Sequence, residues 1–149
     1  MKSTNGFKKI ISDFKHKDQN IRIAVQKLIQ EFLLFLLNKD ASVRKKQSEN
    51  IIYDECIKDY IDKKNNEFII HGLILVMKSF TVKKNDRINE FFKEKFKTFL
   101  EIMNTNLLIN NNLIKLSIIE CLPSFCEYFP IIMEENEFLD SFKKIINNL

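Results

Sequence analysis

The side chains best suited to metal binding or nucleophilic catalysis are two histidines and three cysteines. His71 stands in the most apolar stretch of the sequence, whereas His16 stands in a polar stretch. A metal site needs several ligands at short and regular spacings, and these two histidines do not supply them. We therefore expect His71 to be a structural histidine that bonds a neighbouring helix.

The cysteines do not form a recognisable reactive pair. Cys121 and Cys126 are five residues apart, which is not a Cys-x-x-Cys spacing, and Cys56 is distant from both. A cysteine nucleophile also needs a nearby histidine and an orienting group, and the sequence offers no such signature. With Pro123 between them, Cys121 and Cys126 are expected to fill the interior of a slightly bent helix. Three cysteines without a signal peptide fit a reducing compartment.

Motifs for phosphate binding and catalysis are missing from the sequence. The two glycines, Gly6 and Gly72, are too far apart to build a phosphate-binding loop. Glu134, Glu135 and Glu137 stand just before the last predicted helix, where they favour its positive N-terminal end. The sequence therefore predicts no catalytic residue, no metal ligand and no cofactor site in this segment.

The elements that carry these residues are predicted to be helices. Two glycines and two prolines are too few for a fold with many tight turns. Apolar residues recur with helical spacing, as in Phe7, Ile10, Ile11 and Phe14. Seven helices are predicted, separated by polar breaks; Ser42 and Asp86 are expected to cap two of them, and Pro130 to follow the end of the sixth.

Amphipathic helices alternate with helices that are apolar over most of their surface. Pairs of helices start about every 40 to 47 residues, the period of HEAT or armadillo repeats. The predicted pairs span residues 4–37, 42–82 and 86–129, and a further helix spans 134–148. We therefore predict one all-α segment, 1–149, with a HEAT/armadillo-type α-solenoid fold. Because the first helix and Ile145, Ile146 and Leu149 lack polar caps, we expect a fragment of a longer array.

The net charge of +4 comes almost entirely from lysine. Arg22, Arg44 and Arg87 are the three arginines, and they lie at or near predicted turns, where we expect them to join neighbouring repeats. Scarce arginine argues against nucleic-acid readout, and the lysines alternate with acids instead of forming one stripe. A lysine-rich binder of nucleic acid or of an acidic membrane surface is therefore the less favoured class. No apolar run is long enough to span a membrane.

Three stretches carry a resemblance to a known family. The first is Phe7 to Leu36, with the turn Asp18-Gln19-Asn20-Ile21-Arg22. The second is Tyr53-Asp54-Glu55-Cys56 followed by Asn66 to Leu75, which contains Ile70-His71-Gly72. The third is Asn112 to Pro123, followed seven residues later by Pro130. Together they resemble the N-terminal HEAT-repeat region of the target-of-rapamycin (TOR) kinases, serine/threonine kinases of the phosphatidylinositol-kinase-related family.

The resemblance implies a scaffold for growth signalling in the cytoplasm, which reaches endomembranes peripherally through its partners. It implies regulatory subunits and a small GTPase as partners, and it places ATP and Mg²⁺ only in the kinase domain of a longer parent. The protein-binding residues stay unidentified at this level. The alternative is a stand-alone HEAT-repeat adaptor or another scaffold, such as a phosphatase regulatory subunit.

Overall fold

A computed structural model describes the backbone of residues 2–37, 42–80, 86–132 and 136–148. Within these ranges it describes the side chains of residues 6–35, 49–80, 94–95, 97–123, 140 and 143–148. The described residues form seven α-helices and one short 3₁₀ helix, and none of them lies in a β-strand. The predicted all-α fold is confirmed.

The helices follow one another with short connections. Their bounds are α1 Lys2–Ser12, the 3₁₀ helix Asp13–Lys15, α2 Gln19–Leu37, α3 Ser42–Asp62, α4 Glu67–Ser79, α5 Asp86–Asn106, α6 Asn112–Ile132 and α7 Asn136–Asn148. None of the helices in the described part of the chain combines the length and apolarity that crossing a bilayer requires.

Short polar side chains cap the N-termini of the even-numbered helices. The Oδ1 atom of Asp18 accepts a hydrogen bond from the Asn20 N–H at 2.8 Å at the start of α2. Asn66 accepts from the N–H groups of Phe68 and Ile69 at the start of α4. Asn111 accepts from the Ile114 N–H at 3.1 Å. Each bond satisfies helical N–H groups that have no partner inside the helix, and each therefore fixes where the chain turns.

Several sequence predictions concern residues outside the described ones. The predicted breaks at 38–40 and 83–85 lie there, as do the side chains of the predicted caps Ser42 and Asp86. The side chains of Arg44 and Arg87, predicted to join repeats, also lie outside the described residues.

The helices pack in two layers. One layer contains α2, α4 and α6, with α4 between the other two. The other contains α1, α3, α5 and α7, each packed on the next. Every residue of α4 from Ile69 to Met77 is buried, because this helix is covered on several sides. The largest fully buried side chains of the core are Phe14, Phe99, Ile11, Ile29, Ile52, Ile70, Leu73, Ile74 and Met77.

The end of α6 differs from the prediction. We expected this helix to stop before Pro130, but it continues to Ile132. A proline removes one backbone hydrogen bond and crowds the preceding turn, which destabilises a helix without necessarily ending it. Pro123 likewise lies inside α6 and is exposed.

Some apolar residues that the helical spacing assigned to buried faces are exposed. The helical spacing predicts one apolar side of α3 formed by Ile52, Cys56, Ile57, Tyr60 and Ile61. Ile61 is nevertheless 60% exposed at the end of that helix. Leu28 and Phe35 on α2, and Leu116 and Ile119 on α6, are each about half exposed. These four belong to the two outer helices of the α2–α4–α6 layer, whereas the corresponding central part of α4 is buried.

Candidate functional site

The most distinctive polar feature of the interior joins α2 to α4. The Nε–H group of Arg22 donates a hydrogen bond to Nδ1 of His71 at 2.9 Å. Arg22 is 4% exposed and His71 is 2% exposed, although both residues are polar. Buried polar groups are stable only when they are hydrogen-bonded, so this Arg22–His71 contact specifies how the two helices align. The expectation that His71 bonds a neighbouring helix is confirmed.

The same arginine holds the turn that precedes α2. Its Nη1 group donates to the carbonyl oxygen of His16 at 2.6 Å and to that of Lys17 at 3.0 Å. The guanidinium carbon lies 5.3 Å from the centroid of the Phe68 ring at the start of α4. Arg22 therefore contacts the turn and α4 simultaneously, as expected for an arginine that joins neighbouring helical pairs. The planar guanidinium suits this role because its donors point in several fixed directions.

The protonation state of His71 follows from its surroundings. Burial, and secondly the positive charge of Arg22, lower the pKa of His71 to about 4. The imidazole is therefore neutral at pH 7, and its Nδ1 atom accepts the Arg22 bond while its proton is on Nε2. Burial also lowers the pKa of Arg22, and nearby Asp18 opposes this change.

Close packing next to His71 explains why the following residue, Gly72, has no side chain. A Cβ atom built on Gly72 would lie 1.9 Å from the carbonyl oxygen of Phe14, in the 3₁₀ helix. Real Cβ atoms do not approach oxygen so closely, so the backbone of α4 can touch the 3₁₀ helix only at a residue without a side chain. His71 and Gly72 thus fix one position of α4 through a polar bond and a steric fit.

The described cysteines lie in the interior. Cys56 and Cys121 are fully buried free thiols. Burial raises the pKa of both, to about 12 for Cys121, and the charges of Asp59 and Glu55 add to the rise at Cys56. The Cys121 Sγ atom lies 3.7 Å from the carbonyl oxygen of Ile74, which it contacts as a weak donor. Since the thiolate is the reactive form, these two thiols are interior packing groups.

Four other candidates from the sequence are not placed. The side chains of Cys126 and of Glu137 lie outside the described residues, as do Glu134 and Glu135. Among the residues whose side chains are described, no three histidine, cysteine or carboxylate groups are arranged to hold a metal ion.

Two further polar contacts between helices were not predicted from the sequence. The Ser79 Oγ atom donates to the Gln26 carbonyl at 3.1 Å, which joins α4 to α2 a second time. The Asn106 Nδ2 group donates to the Tyr60 hydroxyl at 3.2 Å, which joins α5 to α3. A signal existed for the first contact, because Gln26 stands four residues after Arg22 on the same side of α2. Both contacts specify helix packing.

These polar contacts in the described interior connect helices, and none of them presents a reactive group at the surface. What the arrangement can do chemically is hold the helices in a fixed register. Comparison of the chain with models of known protein families, with curated protein sequences and with solved structures found no match to any of them.

Proposed function

We propose that this chain is a HEAT-type helical scaffold that acts by binding other proteins, and that it is the scaffold segment of a TOR-like serine/threonine kinase. The observation that carries the proposal is the Arg22–His71 hydrogen bond of 2.9 Å. It connects the Asp18–Arg22 turn of the first stretch to the Ile70-His71-Gly72 sequence of the second, which is the most specific stretch of the resemblance. Residues that resemble one family at separate places in the sequence are thus in direct contact.

The helix order supports the repeat interpretation. In the α2–α4–α6 layer each helix packs on the equivalent helix of the next pair, and the odd-numbered helices do the same in the other layer. HEAT solenoids are built in this way, from helical pairs that bury their apolar faces against their neighbours. The proposed role is a platform that positions regulatory subunits and a small GTPase, with ATP and Mg²⁺ bound in a separate kinase domain.

Surface charges favour a protein partner over a polyanion. Lys15 forms an ion pair of 2.7 Å with Asp59, Lys8 one of 3.5 Å with Glu55, and Lys78 one of 3.7 Å with Glu120. Lysines already paired with carboxylates contribute less to binding phosphates, because the pair must first be broken. The nucleic-acid alternative therefore stays the less favoured one.

The test is an immunoblot of cell lysate with an antibody raised against the 149-residue chain. We expect a band far above 17.8 kDa that co-precipitates with serine/threonine kinase activity. Preincubating the antibody with the purified chain should remove the band and the precipitated activity together. A single band at 17.8 kDa without kinase activity would contradict the kinase assignment and favour the stand-alone HEAT adaptor.

A further inference from the structure

A buried arginine holds the turn between α1 and α2 against α4. The Nε–H group of Arg22 donates to Nδ1 of His71 on α4 at 2.9 Å. Its Nη1 group donates to the carbonyl oxygens of His16 and Lys17 at 2.6 and 3.0 Å. One side chain therefore connects α4 to residues 13–18, which we call the α1–α2 turn.

This connection requires a neutral His71. The ring nitrogen that accepts the Arg22 bond, Nδ1, is the one that a second proton would occupy. An imidazolium donates at both nitrogens, so protonated His71 would direct an N–H group and a positive charge at the guanidinium. Because Arg22 is 4% exposed and His71 is 2% exposed, water screens this repulsion only weakly. Protonation therefore breaks the bond.

The described surroundings of His71 do not offset that repulsion. α4 packs against α2, α3, α5, α6 and the 3₁₀ helix. Of the charged side chains described on these elements, Arg22 is the one that bonds His71 and, after burial, lowers its pKa. Asp18, in the turn, acts on Arg22. Further charged side chains of these elements form ion pairs, which are Lys15–Asp59, Lys78–Glu120 and Lys95–Glu94.

Loss of the Arg22–His71 bond weakens the attachment of the α1–α2 turn. Once Arg22 leaves His71, the two carbonyls of the turn compete with water for its donors. The Lys15–Asp59 pair also attaches the turn, to α3, but both side chains are partly exposed and solvent screens their attraction. An open turn admits water to His71, and hydration stabilises the imidazolium. Proton uptake and opening therefore favour each other.

The neighbouring contact between α2 and α4 does not depend on pH. The Ser79 hydroxyl donates to the Gln26 carbonyl at 3.1 Å, and neither group ionises in acid. Gln26 stands four residues after Arg22, hence about one turn further along the same side of α2. This bond keeps α2 on α4 while the α1–α2 turn opens.

We propose that Arg22 and His71 form an acid-sensitive switch: when His71 takes up a proton, Arg22 is released and the α1–α2 turn opens from α4, while the rest of the fold persists. The proposal goes beyond the scaffold function and does not depend on the resemblance to TOR kinases.

The size of the response follows from the two states of the switch. A histidine in water has a pKa of about 6.5, whereas burial and the charge of Arg22 lower the pKa of His71 in the closed state to about 4. The equilibrium constant for opening should therefore rise about 20-fold as the pH falls from about 6 to about 4.5.

Amide hydrogen exchange of the ¹⁵N-labelled full chain, followed by NMR over this pH range, measures the opening. The reporter is the His16 N–H, which donates to the Asp13 carbonyl at 3.0 Å inside the turn. The matched control is the Ile109 N–H, which makes the same kind of bond to the Asn106 carbonyl at 3.2 Å between α5 and α6. Dividing the exchange rate of an unfolded peptide at the same pH by each measured rate gives a protection factor.

We expect the protection factor of the residue 16 amide to fall about 20-fold in the wild type, and that of Ile109 to stay constant. In His71→Asn the amide oxygen can accept the Arg22 bond but does not titrate, so protection at residue 16 should not respond to pH. Circular dichroism at neutral pH checks that the variant folds. Should it lose helix content, His71→Gln takes its place.

The other histidine of the turn supplies a control variant. Nδ1 of His16 accepts a hydrogen bond from the Asp18 N–H at 2.9 Å, which is a bond inside the turn. The side-chain oxygen of an asparagine can accept this bond too. His16→Asn should therefore keep the turn and respond to pH as the wild type does.

Several results would overturn the proposal. Constant protection at residue 16 of the wild type, or a fall that persists in His71→Asn, shows that protonation of His71 does not open the turn. A fall that disappears in His16→Asn assigns the response to the other histidine. An equal fall at Ile109, or protection at residue 16 as high as in Leu73 to Met77, shows that the whole chain unfolds instead. A band of either size in the immunoblot leaves these outcomes unaffected.

Discussion

Arg22 is the residue on which the junction of α2, the preceding turn and α4 depends. It donates to the His71 ring nitrogen and to two backbone carbonyls, of His16 and Lys17. Without the guanidinium the buried His71 nitrogen would lose its donor, and so would the two partly buried carbonyls. Leaving a buried polar group unsatisfied destabilises a protein by about 1–3 kcal/mol, which is more than a typical surface ion pair contributes.

The glycine beside His71 provides a steric test of the same junction. Gly72→Ala should lower the free energy of unfolding by about 3 kcal/mol or more, because its Cβ would overlap the Phe14 carbonyl oxygen. Backbone atoms cannot move aside as a flexible side chain can, so α4 must shift as a unit. Urea unfolding monitored by circular dichroism measures the change.

Gly6→Ala is the matched control for this substitution. Gly6 also lies in a helix, α1, and a Cβ there would meet no atom within 4 Å. Alanine favours a helix over glycine, so this variant should be stabilised by about 0.5–1 kcal/mol. Equal effects of the two substitutions would contradict the close contact between Gly72 and Phe14.

The lowered pKa of His71 predicts how stability depends on pH. The unfolded chain takes up a proton near pH 6.5, whereas folded His71 does so only near pH 4. Between these values the unfolded state binds more protons, so stability present above pH 6.5 is lost as the pH falls towards 4. Each pH unit in this window lowers the free energy of unfolding by about 1.4 kcal/mol. Protonation of His71 therefore costs about 3 kcal/mol of stability in total.

Comparison with His71→Asn isolates this contribution. An asparagine oxygen can accept the Arg22 bond near the position of Nδ1, but the amide does not titrate. Titration of the carboxylates changes the unfolding free energy of the wild type and of His71→Asn equally. It therefore cancels in the difference between the two proteins. Unfolding free energies from urea titrations should therefore converge as the pH falls from 7 to 4, and parallel curves would show that His71 has an ordinary pKa.

Among the elements, α4 is the one most enclosed by others. It packs against α2, α6, α3 and the 3₁₀ helix, whereas α7 packs chiefly on α5. Amide hydrogen exchange should therefore be slowest in the central residues of α4 and faster in α7, because local opening of α7 exposes less apolar surface. Mass spectrometry of peptic fragments after deuterium labelling measures this order. Faster exchange in α4 than in α7 would contradict the described packing.

Helix identity was predictable from the sequence because it depends on nearby residues. The i, i+3, i+4 spacing of apolar residues and the polar breaks placed the seven helices. The end of α6 was not predictable, since the effect of Pro130 depends on whether packing offsets the lost hydrogen bond. The exposure of Ile61 was missed for a similar reason: spacing gives the apolar side of a helix but not how far the neighbouring helix extends.

At the scale of the whole molecule, the partners within each polar contact could not be read from the sequence. Arg22 and His71 are 49 residues apart, and Tyr60 and Asn106 are 46 apart. Their contacts exist only after the layers have formed, so no local pattern specifies them. The sequence could identify His71 as structural, because one histidine in an apolar helix needs a buried partner, but it could not name Arg22 as that partner.

The α2–α4 interface contains bonds that restrict how the two helices can move against each other. Between α2 and α4 the described residues include directional bonds from Arg22 and Ser79, which oppose sliding along the helix axis. Between α4 and α6 they include the longer Cys121 contact and the solvent-screened Lys78–Glu120 pair. Apolar helix faces can shear past each other by small steps, whereas an interlocked hydrogen bond must break first. Sliding of α2 along α4 therefore requires these two bonds to break, so the described part of this interface keeps its register against an applied shear.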